Sequence, residues 1–246
     1  MPFDAAPQTV ASTNNCSLCP VQNCLARRSE NGEGGWSEAL APRVALMPGS
    51  ALFNAGDRQL SIYSVRGGCI KTYSVDADGN ERVRGFFLPG DVIGLDGLGY
   101  GVHASYATAV VPSQICVMPM ARLRSLMLSN AALAVTVQQQ TSRDLGLALA
   151  LSGSFSAEQR VAAFLLYLRS RLGAEQLVRL PMGQQDIGSY LRLAPESVCR
   201  TMKTFERSGM LSIDNRAVKV LDERRLSALA APVGIPKTGA RQSVAV

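Results

Sequence analysis

Residues 186–211 read DIGSYLRLAPESVCRTMKTFERSGML, and their pattern contains two short helices joined by a tight turn. Its first part has the apolar face of a short helix, formed by Ile187, Tyr190 and Leu191. The letters RLA then make a tight connection to a second helix. Pro195 suits the first position of that helix, and Gly209 suits the position after its end. The stretch therefore predicts a helix-turn-helix.

The second helix has an inward apolar face, formed by Val198, Met202 and Phe205. The candidate DNA-binding residues are Glu196, Ser197, Cys199, Arg200 and Lys203. Glu196 and Arg200 are four positions apart, so they project from one face near the helix N-terminus, where a recognition helix meets base edges. Arginine can donate to guanine O6 and N7, and glutamate can accept from cytosine N4. The alternative is an exposed salt bridge between the two.

Residues on both sides of this motif extend the prediction. Residues 210–220, MLSIDNRAVKV, predict a two-stranded wing, which favours DNA reading over the salt bridge. Upstream, Ser156 is the expected N-cap of an amphipathic helix, with Glu158 in its first turn. Residues 156–230 hold the chain's excess of Lys and Arg, whereas residues 31–128 are balanced, so the C-terminal part is expected to meet a polyanion.

The first half of the chain has a different texture. Residues 31 to about 120 consist of short alternating segments separated by glycine turns, with DADGN as a hairpin turn, and they predict a β-sandwich or β-roll. Residues 130–152 then predict one long helix. A heptad-spaced seam runs along it, formed by Ala134, Val137, Thr141, Asp144, Ala148 and Leu151. This spacing is typical of a parallel homodimer, and an ordinary buried helix stays open as the alternative.

A second apolar set on the same helix is expected to face the β-domain, namely Leu133, Leu145 and Leu149. The N-terminus lacks the pattern of a secretory signal, and no stretch approaches the roughly 18 apolar residues of a membrane span. We therefore expect a cytoplasmic protein with reduced thiols and no membrane partner. In that compartment a cysteine cluster is typical of metal binding or redox chemistry.

Three of the six cysteines lie in residues 14–30, NNCSLCPVQNCLARRSE. The spacing C-x-x-C of Cys16 and Cys19 also occurs in thiol-redox enzymes, but no thioredoxin-like pattern surrounds it. Cys69 follows a glycine turn and is expected to be a small buried hydrophobe.

The order of these parts resembles the cyclic-AMP receptor protein and fumarate-nitrate reduction regulator superfamily. Besides the helix-turn-helix, the stretches FNAGD, GFFLPGDVIGLDGLG and EQRVAAFLLYLRSR carry the resemblance. It implies an α+β fold with an N-terminal cyclic-nucleotide-binding-like β-roll, a long dimerisation helix and a C-terminal winged helix-turn-helix. The expected domains are a cysteine-rich segment (1–30), the β-roll (31–128), the dimerisation helix (129–155), the DNA-binding domain (156–230) and a tail (231–246).

Two branches of the superfamily are distinguished by their ligands. The cyclic-nucleotide branch needs a glutamate and an arginine after its GE turn, whereas this chain has Asp91 in the glutamate's place and no Arg or Lys from Gly85 to Met120. A buried phosphate without a cation is unfavourable, so no cyclic nucleotide is expected.

The iron-sulfur branch is similar at the sites that matter. The resemblance implies a [4Fe-4S] cluster on four ligands, which correspond to Cys16, Cys19, Cys24 and Cys116. The same four cysteines could hold zinc, so a zinc-stabilised or thiol-redox-responsive regulator of this superfamily, without an oxygen-labile cluster, stays open. The N-terminal spacing is C-x2-C-x4-C here, against C-x2-C-x5-C in the best-known relatives, which puts the path of this loop in doubt.

The resemblance further implies an oxygen-responsive regulator that activates or represses genes of anaerobic metabolism from palindromic sites like TTGAT-N4-ATCAA. Asp144, with Thr141 and Ala148 beside it on the seam, would keep the cluster-free protein monomeric, unless the seam is misphased and Asp144 is simply solvated. RNA polymerase is the implied further partner, through a surface loop around Glu81 to Gly85. Cys199 stands where the family more often has serine, which puts finer sequence preference in doubt.

Overall fold

A computed structural model of the chain describes residues 43–172 and 177–233. The expected metal ligands Cys16, Cys19 and Cys24 lie outside the described residues. The chain forms two compact units that divide between Thr141 and Ser142, inside the long helix. The domain bounds predicted above stay predictions.

The first unit contains eight described strands. They are β1 (Arg43–Leu46), β2 (Ala51–Phe53), β3 (Ser61–Gly67), β4 (Ile70–Val75), β5 (Glu81–Phe87), β6 (Val92–Ile93), β7 (Tyr106–Ala109) and β8 (Ser113–Pro119). They form two four-stranded sheets, in the orders β1-β8-β3-β6 and β2-β7-β4-β5, and neighbouring strands are antiparallel. The predicted β-roll is confirmed.

Alternate residues of both sheets form a shared apolar core, including Val65, Ile70, Ile93 and Ile115. The DADGN turn joins β4 to β5 as predicted, because Asp76 Oδ1 accepts the amides of Asp78 and Asn80 at 3.1 and 2.8 Å. The prediction of a surface loop around residues 81–85 is wrong, because these residues belong to β5. Buried and exposed positions alternate along them, as in the rest of the hairpin.

Two helices follow β8 without a long connection. They are α1 (Met120–Ser129) and α2 (Ala131–Ser152). Asn130 separates them and caps α2, since its Oδ1 accepts the amide of Leu133 at 3.2 Å. Leu123 of α1 packs with Leu133 and Val137 of α2 in one apolar cluster. The predicted long helix is confirmed.

The predicted faces of α2 need correction. Val137, expected on the dimer seam, is only 5% exposed and packs in the cluster with Leu123. Leu145 and Leu149, expected to be covered by the β-domain, are 60% and 63% exposed. Small side chains such as Ala132 and Ala134 lie on opposite sides of the helix, so the sequence pattern does not fix its rotation.

The second unit holds the rest of α2 and a winged helix-turn-helix. Its further elements are α3 (Ala157–Leu172), β9 (Leu177–Arg179), α4 (Gln184–Leu191), α5 (Pro195–Arg207), β10 (Leu211–Asp214), β11 (Ala217–Val220) and α6 (Glu223–Ala230). The strands form an antiparallel sheet in the order β10-β11-β9. Ser156 caps α3, because its Oγ accepts the amide of Gln159 at 3.2 Å. Within residues 43–172 and 177–233, no helix has the length and apolar character needed to cross a bilayer.

Candidate functional site

Helix α5 is held firmly at both ends. Ala194 is its extended N-cap, and Pro195 occupies the first turn. At the other end Gly209 adopts a φ of 71°, and the amide of Met210 donates to the carbonyl of Phe205 at 2.9 Å. Arg225 Nη1 also donates to the Ser208 carbonyl at 3.0 Å. The sequence-predicted bounds of this helix are confirmed.

The buried face of α5 determines which side chains it presents. Val198, Met202 and Phe205 are at most 6% exposed, as predicted, and Thr201 is buried beside them. The outward residues are Glu196, Arg200 and Lys203, which are exposed, and Ser197 and Cys199, which are half-buried. The helix therefore presents an acceptor and two cations on one face.

Glu196 and Arg200 do not satisfy each other. In the described part of the chain no ion pair joins them, and Arg200 Nη2 instead donates to Ser197 Oγ at 3.3 Å. The salt bridge considered above is therefore absent. The carboxylate and most of the guanidinium donors stay available for base edges.

The turn before α5 depends on two residues that the sequence analysis did not single out. Arg192 ends α4 with a φ of 55°, and the Leu193 amide donates to the Gly188 carbonyl at 2.9 Å. A Cβ on Gly188 would lie 2.8 Å from the Leu193 carbonyl oxygen, so this close approach requires glycine. The only sequence signal is a glycine inside an otherwise helical pattern.

The wing is attached directly to α5. Glu206 Oε1 accepts the amide of Ile213 in β10 at 3.2 Å. The β10–β11 hairpin turns at Asn215, whose φ is 53°. Arg216 and Lys219 are exposed on this hairpin, where cations are suited to phosphate contacts.

Cys116 lies on β8 between two strands of its sheet. Its Cα is paired with that of Arg43 in β1 and of Ser64 in β3. The side chain is half-buried, and Arg66 Nη1 lies 3.9 Å from its sulfur. A guanidinium is therefore positioned to donate to this sulfur.

The other two described cysteines differ from Cys116. Cys69 is fully buried, and its amide donates to Ser113 Oγ at 3.1 Å, as expected of a small core residue. Cys199 is half-buried on α5. Among the described residues, no group of three or more His, Cys, Asp or Glu side chains is placed to hold a metal ion.

Two carboxylates beside β6 accept hydrogen bonds from nearby residues of the β-roll. Asp91 is 6% exposed, and its Oδ2 accepts the amide of Leu88 at 2.8 Å. Asp96 Oδ2 accepts the amide of Ala104 at 3.1 Å and the hydroxyl of Ser105 at 2.9 Å. Asp91 and Asp96 are therefore occupied by internal donors.

His103 is also committed to the β-roll. Its ring stacks on Phe53 with centroids 3.6 Å apart, and Nδ1 lies 3.5 Å from Asp96 Oδ1. The imidazole is buried, with 2% of its surface exposed. The imidazole of His103 therefore belongs to the packed interior of the β-roll.

The three residues proposed for dimer control lie along the second half of α2. Thr141 Oγ1 donates to the Val137 carbonyl at 3.0 Å, Asp144 is half-buried and Ala148 is exposed. Burial raises the pKa of Tyr190 on α4, and the charges of Tyr167 and Asp144 raise it further. Asp144 is thus electrostatically close to the helix-turn-helix of its own chain.

Comparison with known families assigns both units. The family model described as a Crp-like helix-turn-helix domain matches residues 159–229. The model described as a cyclic nucleotide-binding domain matches residues 43–130. These two matches correspond to the winged helix-turn-helix and to the β-roll with α1.

Several characterised proteins are similar over most of the chain. The fumarate and nitrate reduction regulatory protein of Salmonella typhimurium is 34% identical over 197 residues, which is 75% of this chain and 77% of the relative. The transcriptional activator protein Anr of Pseudomonas aeruginosa is 33% identical over 234 residues, 92% and 94% of the two chains. The structure of FixK2 from Bradyrhizobium japonicum matches with a TM-score of 0.72 and 27% identity, over 77% of this chain and 97% of that one.

The names of these relatives describe regulators of transcription, and none of them describes an enzyme. The thiol-redox enzyme considered for the C-x-x-C spacing therefore has no support. The chain belongs to the fumarate and nitrate reduction regulator branch of the CRP/FNR family of DNA-binding transcription regulators.

Proposed function

We propose that this regulator responds to oxygen, and that its dimerisation and DNA binding depend on a [4Fe-4S] cluster held by Cys16, Cys19, Cys24 and Cys116. The observation that carries the proposal is the pairing of Arg43 with Cys116. The polypeptide that carries the other three cysteines leads along the chain to Arg43, a residue that is paired with Cys116. Paired Cα atoms in antiparallel strands lie about 4.5 to 5.5 Å apart.

The connection between Arg43 and the nearest N-terminal cysteine is long enough for this site. Cys24 precedes Arg43 by nineteen positions, a length that can span about 60 Å when extended. All three N-terminal thiols can therefore reach Cys116 without rearrangement of the sheet.

The donor set suits an iron-sulfur cluster. Four thiolates are the usual ligands of [4Fe-4S], which supplies a redox-active centre when bound. Four thiolates give such a centre a net negative charge, and the Arg66 guanidinium beside the Cys116 sulfur offsets part of it. The same thiolates also suit zinc, which is the second candidate.

A short path leads from Cys116 to the long helix. Only three residues separate Cys116 from Met120, where α1 begins. Leu123 of α1 is fully buried against Leu133 and Val137 of α2. Close-packed side chains transmit small displacements, so tension on β8 at Cys116 is expected to shift the N-terminal half of α2.

The second half of α2 is the proposed dimer surface, formed by Thr141, Asp144 and Ala148 together with the exposed Leu145 and Leu149. Burying two leucines from each chain favours association, whereas opposing Asp144 carboxylates disfavour it. These opposed contributions give the marginal interface that a switch of a few kcal/mol can control. A parallel dimer would present two α5 helices about one DNA turn apart, to a palindromic site.

We also propose that the chain acts in the cytoplasm, contacts RNA polymerase and binds no cyclic nucleotide. The occupied carboxylates of Asp91 and Asp96 support the last point, since neither is free to bind a ribose. No Arg or Lys lies between Gly85 and Met120 to pair with a phosphate.

The test is anoxic purification followed by iron, sulfide and zinc analysis and a visible spectrum, for the parent, Cys116→Ser and Cys199→Ser. We expect a brown parent that bleaches in air, loss of the cluster in Cys116→Ser and retention in Cys199→Ser, which keeps the proposed ligands. A colourless parent with stoichiometric zinc would contradict the proposal and support the zinc-stabilised regulator. An unchanged cluster in Cys116→Ser would refute the fourth ligand.

A further inference from the structure

Arg160, in the first turn of α3, joins two distant parts of the second unit. Its Nη1 donates to the carbonyl of Leu191 at 2.8 Å, and its Nη2 donates to the carbonyl of Gly153 at 3.1 Å. Leu191 is the last residue of α4, and Gly153 directly follows α2. One guanidinium therefore connects the end of the long helix to the first helix of the helix-turn-helix.

Both carbonyls are suited to a cationic donor. The last carbonyls of α4 lack intrahelical donors, and a positive charge at a helix C-terminus is favourable. The Gly153 carbonyl already accepts the amide of Phe155 at 3.1 Å, so it is fixed in direction. A planar guanidinium can hold two such acceptors at once, which a lysine ammonium on its flexible stem cannot do as rigidly.

The segment that carries Arg160 is itself held in place. Ser156 and Gln159 form a reciprocal capping box, in which the Ser156 amide donates to Gln159 Oε1 at 2.9 Å. A Cβ on Gly153 would lie 2.3 Å from the Phe155 ring, so a larger residue at this position would have to displace that ring. The capping box and the packed turn leave Arg160 little freedom to adjust to a displaced partner.

The Leu191 carbonyl lies just before the DNA-reading residues. The α4–α5 turn is closed by the bond from the Leu193 amide to the Gly188 carbonyl, and Glu196 follows within the first turn of α5. A displacement of Leu191 is therefore carried into α5 rather than absorbed by a loose connection.

We propose that Arg160 is a positioning residue that ties the end of α2 to the recognition helix α5, so that the long helix sets the direction in which Glu196 and Arg200 meet DNA. Arg160 acts through the C-terminal turn of α4, without contacting DNA. The proposal requires the DNA-binding activity of the family but no metal centre, so it stands or falls independently of the oxygen response.

The test compares Arg160→Gln with Arg169→Gln in the full chain, both prepared without oxygen. Arg169 lies on the same helix and donates to Glu223 at 2.9 Å, so its variant removes the same charge without touching either carbonyl. Binding to a duplex with the TTGAT-N4-ATCAA palindrome is measured across a range of salt. We expect Arg160→Gln to bind about tenfold more weakly, as for the loss of a charge-assisted hydrogen bond, and Arg169→Gln to stay within about twofold of the parent.

Two further readouts distinguish positioning from other roles. The dependence of log K on log salt should keep its slope in Arg160→Gln, because lost phosphate contacts reduce it by about one per contact. Sedimentation should give an unchanged dimer fraction. Hydrogen exchange should rise in residues 153–156 and 189–195, while the buried face of α5 around Val198 and Phe205 stays protected.

Equal affinity of Arg160→Gln and Arg169→Gln would overturn the proposal. So would a reduced salt slope, a loss of dimer or a uniform rise in exchange across the second unit. If Arg160→Gln does not fold, Arg160→Lys keeps the charge and one of the two bonds. It should show the same local rise in exchange with a loss of affinity of about threefold, and unchanged local exchange would equally refute the positioning role.

Discussion

Replacing Glu196 with alanine tests the base-reading role of α5 most cleanly. The carboxylate is exposed and, within the described residues, forms no ion pair with Arg200, so its removal breaks no internal contact. Glu196 lies in the first turn of α5, where a negative charge stabilises a helix by about 0.3 to 1 kcal/mol. The expected cost in folding stability is therefore at most about 1 kcal/mol.

The effect on DNA discrimination is expected to be larger. A good contact to a base edge contributes about 1 to 3 kcal/mol of discrimination, or roughly 5- to 150-fold. This loss should fall on one base pair of each half-site, while other positions keep their preference. The assay measures affinities for duplexes carrying every single base-pair change in one half-site, with thermal unfolding recorded in parallel.

Glu158→Ala is the matched control for Glu196→Ala. Glu158 is also an exposed acid in the first turn of a helix, but that helix is α3 and not the recognition helix. Glu158→Ala should lower the free energy of unfolding by a similar amount and leave the discrimination between base pairs unchanged. The reasoning is refuted if Glu196→Ala keeps the parent's preference at every position, or if Glu158→Ala relaxes the same base pair.

Three further predictions concern the helices around this site. Gly188→Ala should destabilise the second unit by roughly 1 to 3 kcal/mol in denaturant unfolding, because its Cβ would lie 2.8 Å from the Leu193 carbonyl oxygen. Gly183 has open space around it but is the N-cap of α4, so Gly183→Ala should cost at most about 1 kcal/mol. Equal costs would contradict this. Burial raises the pKa of Tyr190 above its ordinary value near 10, and the charges of Tyr167 and Asp144 raise it further. The neutral phenol therefore contributes its full stabilisation below about pH 10, and this contribution is lost as the pH rises further. Above about pH 10 the free energy of unfolding should fall less steeply with pH in Tyr190→Phe than in the parent, with a difference of about 1.4 kcal/mol per pH unit. Identical slopes of the two proteins in unfolding experiments would contradict this prediction. Asp144→Ala should increase the dimer fraction in air, measured by sedimentation, and a variant as monomeric as the parent would show that carboxylate repulsion does not control association.

The elements that sequence predicts well are those with local signals. Pro195 and Gly209 mark the ends of α5, and Ser156 marks the start of α3, because capping depends on residues within one turn. The alternation in β3 to β5 likewise predicts the β-roll without knowledge of its partners. The candidate DNA-reading residues follow from these bounds, since the buried face of α5 leaves Glu196 and Arg200 exposed.

Features that depend on distant contacts were missed or misplaced. The heptad seam was wrong at Val137, because alanines on several sides of α2 leave its rotation undetermined until Leu133 and Val137 meet α1. The expected loop at residues 81–85 is a strand for a similar reason, since its partner β4 defines it. Arg160 forms two hydrogen bonds, to Gly153 seven positions away and to Leu191 31 positions away. The sequence around Arg160 carries no signal for this pair of contacts.

The central claim is that a cluster on Cys116 connects oxygen to dimerisation. Its most direct test is the dimer fraction and DNA affinity of the parent and of Cys116→Ser, measured without oxygen and again after exposure to air. We expect the anoxic parent to be a DNA-binding dimer that dissociates in air, and Cys116→Ser to be monomeric under both conditions. A parent that dimerises and binds DNA equally with and without oxygen, or a Cys116→Ser variant that responds as the parent does, would contradict it.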